Sequence, residues 1–228
     1  MSDFIDNWHP FVGSILLAVA ALLPIVDPLT SIPMYLRLTT GAPEGARDDL
    51  AKAVALYSLV LLMGSALIGV YVLHFFGISI ADVRVAGGIV VCSFAWSLLT
   101  SPDAGDQPLR PADAKLIAVD WRPRAFYPLT MPLTVGPGSM SVALTLGAHT
   151  GGTLRSVVAT AIANTIGIVI VSISVYLCYR YAEAIISRIG RTATVVVLRL
   201  SAFILLCIGV HIAWRGVESL LKSTLSGM

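Results

Sequence analysis

The chain has 228 residues, of which 57% are hydrophobic and only 12% are charged, and its formal net charge is +2. Soluble chains average about 25% charged residues, so this composition excludes an ordinary soluble fold. The small net charge gives no basis for nucleic-acid binding. The three cysteines form neither a disulfide framework nor a zinc-type pattern with histidine. We therefore expect neither a metal nor a cofactor.

Six apolar runs predict six membrane-spanning helices, because one crossing needs about 20 apolar residues. The first run covers residues 10–36 and has Asp27 as its single charge. Four further runs contain no Asp, Glu, Lys or Arg: residues 53–73, 85–102, 125–154 and 156–179. The last run covers residues 192–214 and has Arg199 as its single charge. The expected fold class is an all-α, polytopic membrane helical bundle that forms one domain over residues 1–228.

Basic residues predict the orientation, because short loops rich in Lys and Arg stay in the cytoplasm. The regions after the first, third and fifth spans hold ten of them: Arg37, Arg47, Lys52, Arg110, Lys115, Arg122, Arg124, Arg180, Arg188 and Arg191. The opposite side holds fewer: Arg155, Arg215 and Lys222, with Arg84 at a span end. The acidic segment 1–9 lacks the basic start of a cleaved signal peptide, so we expect the first span to be retained. Both termini are predicted on the outer side.

Two weak internal matches indicate a repeat. A shift of 109 residues places Pro28 on Pro137, and a shift of 115 residues places Arg84 on Arg199. Each half would hold three spans, an odd number, so the second half would be inverted relative to the first. Inverted repeats with broken helices are typical of secondary transporters. We predict, in chain order, a first repeat, a cytoplasmic connecting loop and a second repeat: residues 10–101, 102–124 and 125–228.

Proline is expected to interrupt the first and fourth spans, since it removes a helical hydrogen bond and forces the preceding residue out of the α region. The residues at these interruptions are Asp27, Pro28, Gly136, Pro137 and Gly138. Small hydroxyl residues follow each one: Thr30, Ser31, Ser139 and Ser141. The N-terminus of each new half-helix would favour an anionic group such as a carboxylate. We predict substrate binding there; the alternative is a pair of plain proline kinks.

Several single residues have more than one interpretation. Asp27 is the only acidic residue predicted well inside the membrane, where it would carry a coupling proton, pair with a substrate amine or cap the following half-helix. Asn164 would line a cavity or hydrogen bond across helices. Arg84 and Arg199 would extend toward the headgroups or take part in gating, and His211 is more typical of packing than of catalysis. Close helix contacts are predicted at four glycines: Gly64, Gly69, Gly87 and Gly88.

Four segments resemble conserved parts of one family, the MarC-family membrane proteins. Residues 22–39, with the Asp-Pro break, resemble its first motif, and residues 132–139, around Gly-Pro-Gly, resemble its second. Residues 84–88 and 210–217 resemble the opening of its third helix and the end of its sixth. The resemblance covers nearly the whole chain. It implies a bacterial or archaeal plasma-membrane protein with six spans, in a family grouped with transporters, some of which carry small neutral amino acids such as glycine and alanine.

Two positions depart from the pattern of the family. Asp27 stands where Asn is usual, and His211 stands where Gln is usual. An extra carboxylate would suit a cationic substrate or a different proton arrangement.

We expect a secondary transporter of small amino acids or similar zwitterions, with the lipid bilayer, the substrate and a coupling proton or sodium ion as its partners. The direction of transport, the coupling ion and a homo-oligomeric state are left open. No nucleophile–histidine–acid order and no P-loop or zinc motif is present, so we expect no enzyme activity. The rival interpretations are a channel, a membrane-embedded enzyme and a non-catalytic membrane subunit.

Overall fold

The computed structural model describes residues 2–39, 44–100, 125–148, 154–189 and 191–226. The predicted connecting loop, 102–124, lies outside the described residues. The described part is helical almost throughout, in keeping with a bilayer interior, where backbone groups must be satisfied within one segment. The helices are α1 Ser2–Val26, α2 Pro28–Leu38, α3 Glu44–Phe76, α4 Ile80–Thr100, the kinked α5 Ala125–Thr134, α6 Pro137–Ala148, α7 Leu154–Arg180, α8 Ala182–Ile189 and α9 Arg191–Ser226. The all-α prediction is confirmed.

Five stretches of the described residues are long and apolar enough to cross a membrane. They are Phe11–Leu36, Gly45–Phe76, Ile80–Ser97, Ser156–Arg180 and Ala202–Leu225. They match the predicted first, second, third, fifth and sixth spans. The predicted fourth span coincides with α5 and α6, which have 10 and 12 residues. Each is shorter than the roughly 20 residues of a continuous crossing, so the fourth of the six predicted spans stays a prediction.

The turn between α3 and α4 follows from local sequence. Gly77 has a φ of +68° and ends α3 in the left-handed conformation that glycine adopts freely. Ser79 then caps α4: the backbone N–H of Asp82 donates to Ser79 Oγ at 3.1 Å, and the backbone N–H of Ser79 donates to Asp82 Oδ2 at 2.9 Å. This reciprocal capping fixes the start of the third span.

The main core lies among α1, α2, α3, α5, α6 and α7. Its fully buried side chains include Leu22, Ile32, Tyr35, Leu62, Leu129 and Ile168. Around it, large apolar side chains face outward, as in Leu16, Leu17 and Val60, which are 62%, 64% and 60% exposed. Soluble proteins rarely expose apolar surface on this scale, so the outer surface fits a hydrocarbon environment. Both predicted helix breaks fall inside the core.

Helices α4 and α9 form the most extensive helix pair, and glycines let their backbones meet. A Cβ added at Gly88 would lie 2.5 Å from the backbone N of Ala213, and one at Gly209 would lie 2.9 Å from the backbone N of Cys92. The predicted close contacts at Gly69, Gly87 and Gly88 are confirmed. The prediction for Gly64 is wrong, because no described atom lies within 4 Å of a Cβ placed there.

Candidate functional site

The first break lies at Asp27, between α1 and α2. Asp27 has a φ of +34°, in the left-handed region where Asp and Asn are several-fold enriched. Its carboxylate accepts hydrogen bonds from Thr30: the backbone N–H donates to Oδ1 at 3.3 Å, and the hydroxyl donates to Oδ2. Pro28 follows as the first residue of α2, the position where a missing N–H is tolerated. In this structure Asp27 therefore caps α2, one of the three roles predicted for it.

The second break joins α5 to α6 and is more irregular than the sequence predicted. Tyr127 and Met131 have extended backbone angles within α5 (φ/ψ of −125°/125° and −113°/122°). Each directly precedes a proline, and proline forces this conformation on the residue before it. Past α5, the Gly136 carbonyl accepts hydrogen bonds from the Met140 N–H at 3.1 Å and from the Ser139 hydroxyl at 2.9 Å. Hydrogen bonds from residues of α6 to the Gly136 carbonyl therefore stabilise the first turn of α6 directly after the break.

The two breaks meet in the core although they are far apart in sequence. Ser31 Oγ lies 3.3 Å from the Leu133 carbonyl oxygen, 102 residues away, and 3.4 Å from the Asp27 carbonyl oxygen. Its single hydroxyl hydrogen can be donated to either acceptor. Ser31 and Thr134 are 6% and 2% exposed. The hydroxyl of the first break is thus in hydrogen-bond contact with the backbone of the second.

A cavity of about 90 Å³ lies beside the second break. Its lining residues are Ile25, Val90, Val91, Phe94, Leu133, Thr134, Gly136, Pro137, Gly138, Ser139 and Leu205. The wall is mostly apolar, and its side-chain polar groups are the two hydroxyls of Thr134 and Ser139. The first amides of α6 belong to Gly138 and Ser139, and helix geometry gives such amides no acceptor within the helix. A Cβ at Gly138 would collide with Val91 Cγ2, so glycine is needed here.

The structure brings some of the predicted site residues together and separates others. Gly136, Pro137, Gly138 and Ser139 line the cavity, and Ser31 reaches its edge at Leu133. The remaining residues of the first break, Asp27, Pro28 and Thr30, do not line it. Ser141 is buried against α4, where a Cβ at Gly87 would lie 2.8 Å from its Cβ, and its hydroxyl has no hydrogen-bond partner within the described part of the chain.

Asn164 lies at a different cavity, of about 370 Å³, between α3, α6 and α7. Its side-chain amide Nδ2 donates to the Leu146 carbonyl at 2.9 Å. Both predicted roles, cavity lining and hydrogen bonding across helices, therefore occur together. This second cavity shares no lining residue with the cavity at the second break.

Three further predicted residues lie on α4 and α9. Arg84 Nε donates to Thr145 Oγ1 at 3.3 Å and so links α4 to α6. Arg199 and His211 are exposed on α9. Neither of these two lines the cavity at the second break.

Comparison with known proteins identifies the family. The family model described as "MarC family integral membrane protein" matches residues 12–221. The chain belongs to the MarC family. Membrane protein MJ1677 of Methanocaldococcus jannaschii is 30% identical over 209 residues, covering 90% of this chain and 97% of that protein. MarC of Salmonella typhimurium is 28% identical over 216 residues, covering 91% and 95%.

A third relative of this MarC-family protein is membrane protein YvbG of Bacillus subtilis, 28% identical over 200 residues, covering 88% of this chain and 92% of YvbG. The three relatives come from bacteria and an archaeon and are matched over almost their whole lengths. No solved structure matches the chain. The resemblance to the MarC family, which was drawn partly from the two proline motifs of the sequence, is confirmed.

Two tyrosines of this MarC-family protein adjoin the site, although the sequence did not single them out. The rings of Tyr35 and Tyr179 are stacked, with centroids 4.3 Å apart and planes inclined by 10°. The Tyr179 hydroxyl lies 2.7 Å from Thr134 Oγ1, and Thr134 in turn donates to the Leu129 carbonyl at 2.7 Å. Buried tyrosine hydroxyls usually need a partner, and the hydroxyl residue beside the second break supplies one.

Proposed function

We propose that this MarC-family protein is a secondary transporter of small amino acids or similar zwitterions. The observation that carries the proposal is the contact of the two interrupted helices, through Ser31 and the Leu133 carbonyl, beside a cavity in the core. Irregular backbone at membrane depth is tolerated only where protein or a water-filled cavity surrounds it. Paired helix breaks of this kind are where transporters bind their substrates.

The chemistry of the cavity suits a small zwitterion. The substrate carboxylate would lie at the N-terminus of α6, where the amides of Gly138 and Ser139 and the helix dipole favour negative charge. The substrate amine would lie against the Leu133 carbonyl oxygen, which accepts one hydrogen bond, from Ser31, and keeps a second lone pair beside the cavity. A cavity of about 150 Å³ accommodates benzene, so one of about 90 Å³ suits a smaller molecule such as glycine or alanine.

The helix packing supports two inverted halves, the arrangement that the proposal needs. The first span packs through α1 on α7, and the fourth packs through α6 on α3. Exchange of the two halves would turn one of these contacts into the other. Two further large contacts, α3 with α7 and α4 with α9, pair helices that the same exchange would interchange. The contact of α4 with α6 departs from the symmetry, because α9 packs much less extensively on the first span. Rocking of one half against the other would then expose the site alternately to the two sides.

We further propose the plasma membrane as the location, since the Salmonella relative is named an inner membrane protein. The excess of Lys and Arg after the first, third and fifth spans would place both termini outside. Asp27, the single acidic residue at the breaks, is proposed to carry the coupling proton when it releases Thr30.

Uptake by proteoliposomes tests the function. Purified protein would be supplied with radiolabelled glycine, alanine, serine and leucine, with and without a pH gradient. We expect saturable uptake of the smallest amino acids. The Ser139 hydroxyl lines the cavity and is proposed to turn from the Gly136 carbonyl to the substrate carboxylate on binding. Ser139→Ala should therefore weaken the apparent affinity about tenfold or more, because a hydrogen bond to a charged group contributes about 1.5–3 kcal/mol.

Ser174→Ala is the matched control, because Ser174 is also partly buried and donates only to its own helix, at 2.6 Å to the Val171 carbonyl. Its uptake should equal that of the wild type. Folded protein that takes up no amino acid, or that gives unitary currents without saturation, would contradict a carrier.

A further inference from the structure

We propose that Tyr35 and Tyr179 are positioning residues that close the cavity at the second break from the end of the molecule that carries Arg47 and Glu183. The proposal rests on the proposed transport function, because closure matters only if a solute passes. The two tyrosines belong neither to the helix breaks nor to the lining of the cavity, so the proposed function gave them no role.

The stacked rings link this end of the molecule to the site. Tyr35, on α2, and Tyr179, on α7, are 1% and 2% exposed, so the pair is closely packed between α2 and α7. The Tyr179 hydroxyl contacts Thr134 at 2.7 Å, and Thr134 lines the cavity. The pair is thus coupled by one hydrogen bond to the wall of the site that it covers.

A second, ionic layer lies outside the rings. The Tyr35 hydroxyl donates to the Arg47 carbonyl at 2.7 Å, and the Arg47 guanidinium forms an ion pair with Glu183 of α8. Asp48 accepts from the Tyr176 hydroxyl at 3.1 Å and lies 3.6 Å from Arg180. These contacts join the start of α3 to the end of α7 and to α8. Exposed ion pairs are individually weak, so this layer can separate when the helices move.

The opposite ends of α3 and α7 are packed less closely. There α3 and α7 are separated by the cavity of about 370 Å³ that Asn164 lines. In the proposed repeat, the shift of 109 residues places Tyr35 on Leu144, and shifts of 109–115 residues place Tyr179 within residues 64–70, none of which is aromatic. The aromatic closure therefore has no counterpart at that end. The two ends differ in packing, as expected of a single state of an alternating-access carrier. Because the cavity at Asn164 shares no lining residue with the one at the second break, a further helix movement would have to join them.

Site-directed labelling tests the closure without any need for substrate. Cys92, Cys178 and Cys207 would be replaced by Ala, and Ser139→Cys would place a thiol in the cavity wall. A membrane-impermeant methanethiosulfonate would then be applied separately to each face of oriented membrane vesicles. In the parent protein, labelling from the Arg47–Glu183 end should be slow.

Tyr179→Ala should raise the labelling rate from that end about tenfold, equivalent to about 1.4 kcal/mol. Tyr179→Phe keeps the ring stack and should keep labelling slow, so it separates closure from the loss of the hydroxyl. Phe75→Ala, at a ring that is 84% exposed on α3, is the control and should change nothing. Equal labelling rates in Tyr179→Ala and the parent would overturn the proposal.

A second variant covers the case in which Tyr179→Ala does not fold. Arg47→Cys and Glu183→Cys, in the protein whose native cysteines are replaced, would be bridged with a short bis-methanethiosulfonate, which forms a reducible disulfide with each thiol. Bridging should keep the Ser139→Cys thiol unlabelled from that end, leave labelling from the other end intact, and stop amino acid exchange until a reductant is added. Labelling from the bridged end at an undiminished rate would overturn the closure.

The labelling results also separate this proposal from the transport function. Asymmetric labelling that Tyr179→Ala abolishes, in a protein that takes up no amino acid, would support the closure and contradict the proposed substrate. Active uptake with symmetric labelling in the parent would support transport and contradict the closure.

Discussion

Asp27 shows how one residue can take more than one role at a helix break. Its backbone adopts a φ of +34°, and its carboxylate holds Thr30 at the start of α2. The cap accounts for an acidic residue at this depth without any reference to a substrate. A proton role remains compatible with it, since protonation would weaken the acceptor and loosen the first turn of α2.

Two substitutions separate the cap from the proton role. Asp27→Ala should lower the free energy of unfolding by about 1–3 kcal/mol. It removes the cap, and it places in the left-handed region a residue whose side chain cannot form a local hydrogen bond. Asp27→Asn keeps both features and should leave stability within about 0.5 kcal/mol of the wild type, while uptake loses its dependence on the pH gradient. Thermal unfolding in detergent and proteoliposome uptake measure the two effects. Equal stability of both variants would rule out the cap, and unchanged coupling in Asp27→Asn would rule out the proton role.

The sequence identified part of the site at residue level. Ser31 and Ser139 could be predicted because each follows a proline that must interrupt a span. Tyr35 and Tyr179 could not, because each lies in an apolar helix where a tyrosine is unremarkable, and their stacking depends on how α2 packs on α7. A contact between residues so far apart leaves no trace in the local pattern of a single sequence.

At the scale of helices, the interruptions were predictable and their extent was not. Pro28 and Pro137 each begin a helix, as expected. The additional kinks at Tyr127 and Met131 precede prolines that were visible in the sequence, but the fourth span was predicted to break only at Gly136–Gly138. The last helix continues to Ser226, beyond the predicted end at residue 214. Charges there end the apolar run without ending the helix, and the pair Glu218–Lys222, with charged atoms 2.6 Å apart, supports helical continuation.

The contact between α4 and α9 gives a matched pair of glycine tests. Gly88→Ala would place a methyl group 2.5 Å from the backbone of Ala213 and should lower the free energy of unfolding by about 1–3 kcal/mol. Gly64→Ala places the same group in open space and should raise stability by up to about 1 kcal/mol through helix propensity. Thermal unfolding in detergent compares them. A destabilised Gly64→Ala beside an unaffected Gly88→Ala would contradict the packing described.

At the scale of the whole molecule, composition alone was enough to predict an all-α membrane protein. Apolar runs can be read from the sequence without knowing which helices pack together. Five of the predicted spans are accordingly helices that are long and apolar enough to cross a membrane. The fourth predicted span forms α5 and α6 in the structure, and neither helix is long enough to cross a membrane because the breaks divide the span. The Tyr35–Tyr179 stack and the cavity at Asn164 could not be predicted, because both depend on how helices that are distant in sequence pack together.

The central claim is that the cavity at the second break binds a small zwitterion, and equilibrium binding tests it most directly. Radiolabelled glycine and alanine would be titrated into purified protein in nanodiscs. We predict saturable binding that is lost in Gly138→Ala, because the added methyl group collides with Val91 and fills the cavity. Gly64→Ala, the control, should retain it. Saturable binding that survives Gly138→Ala in folded protein would contradict the account.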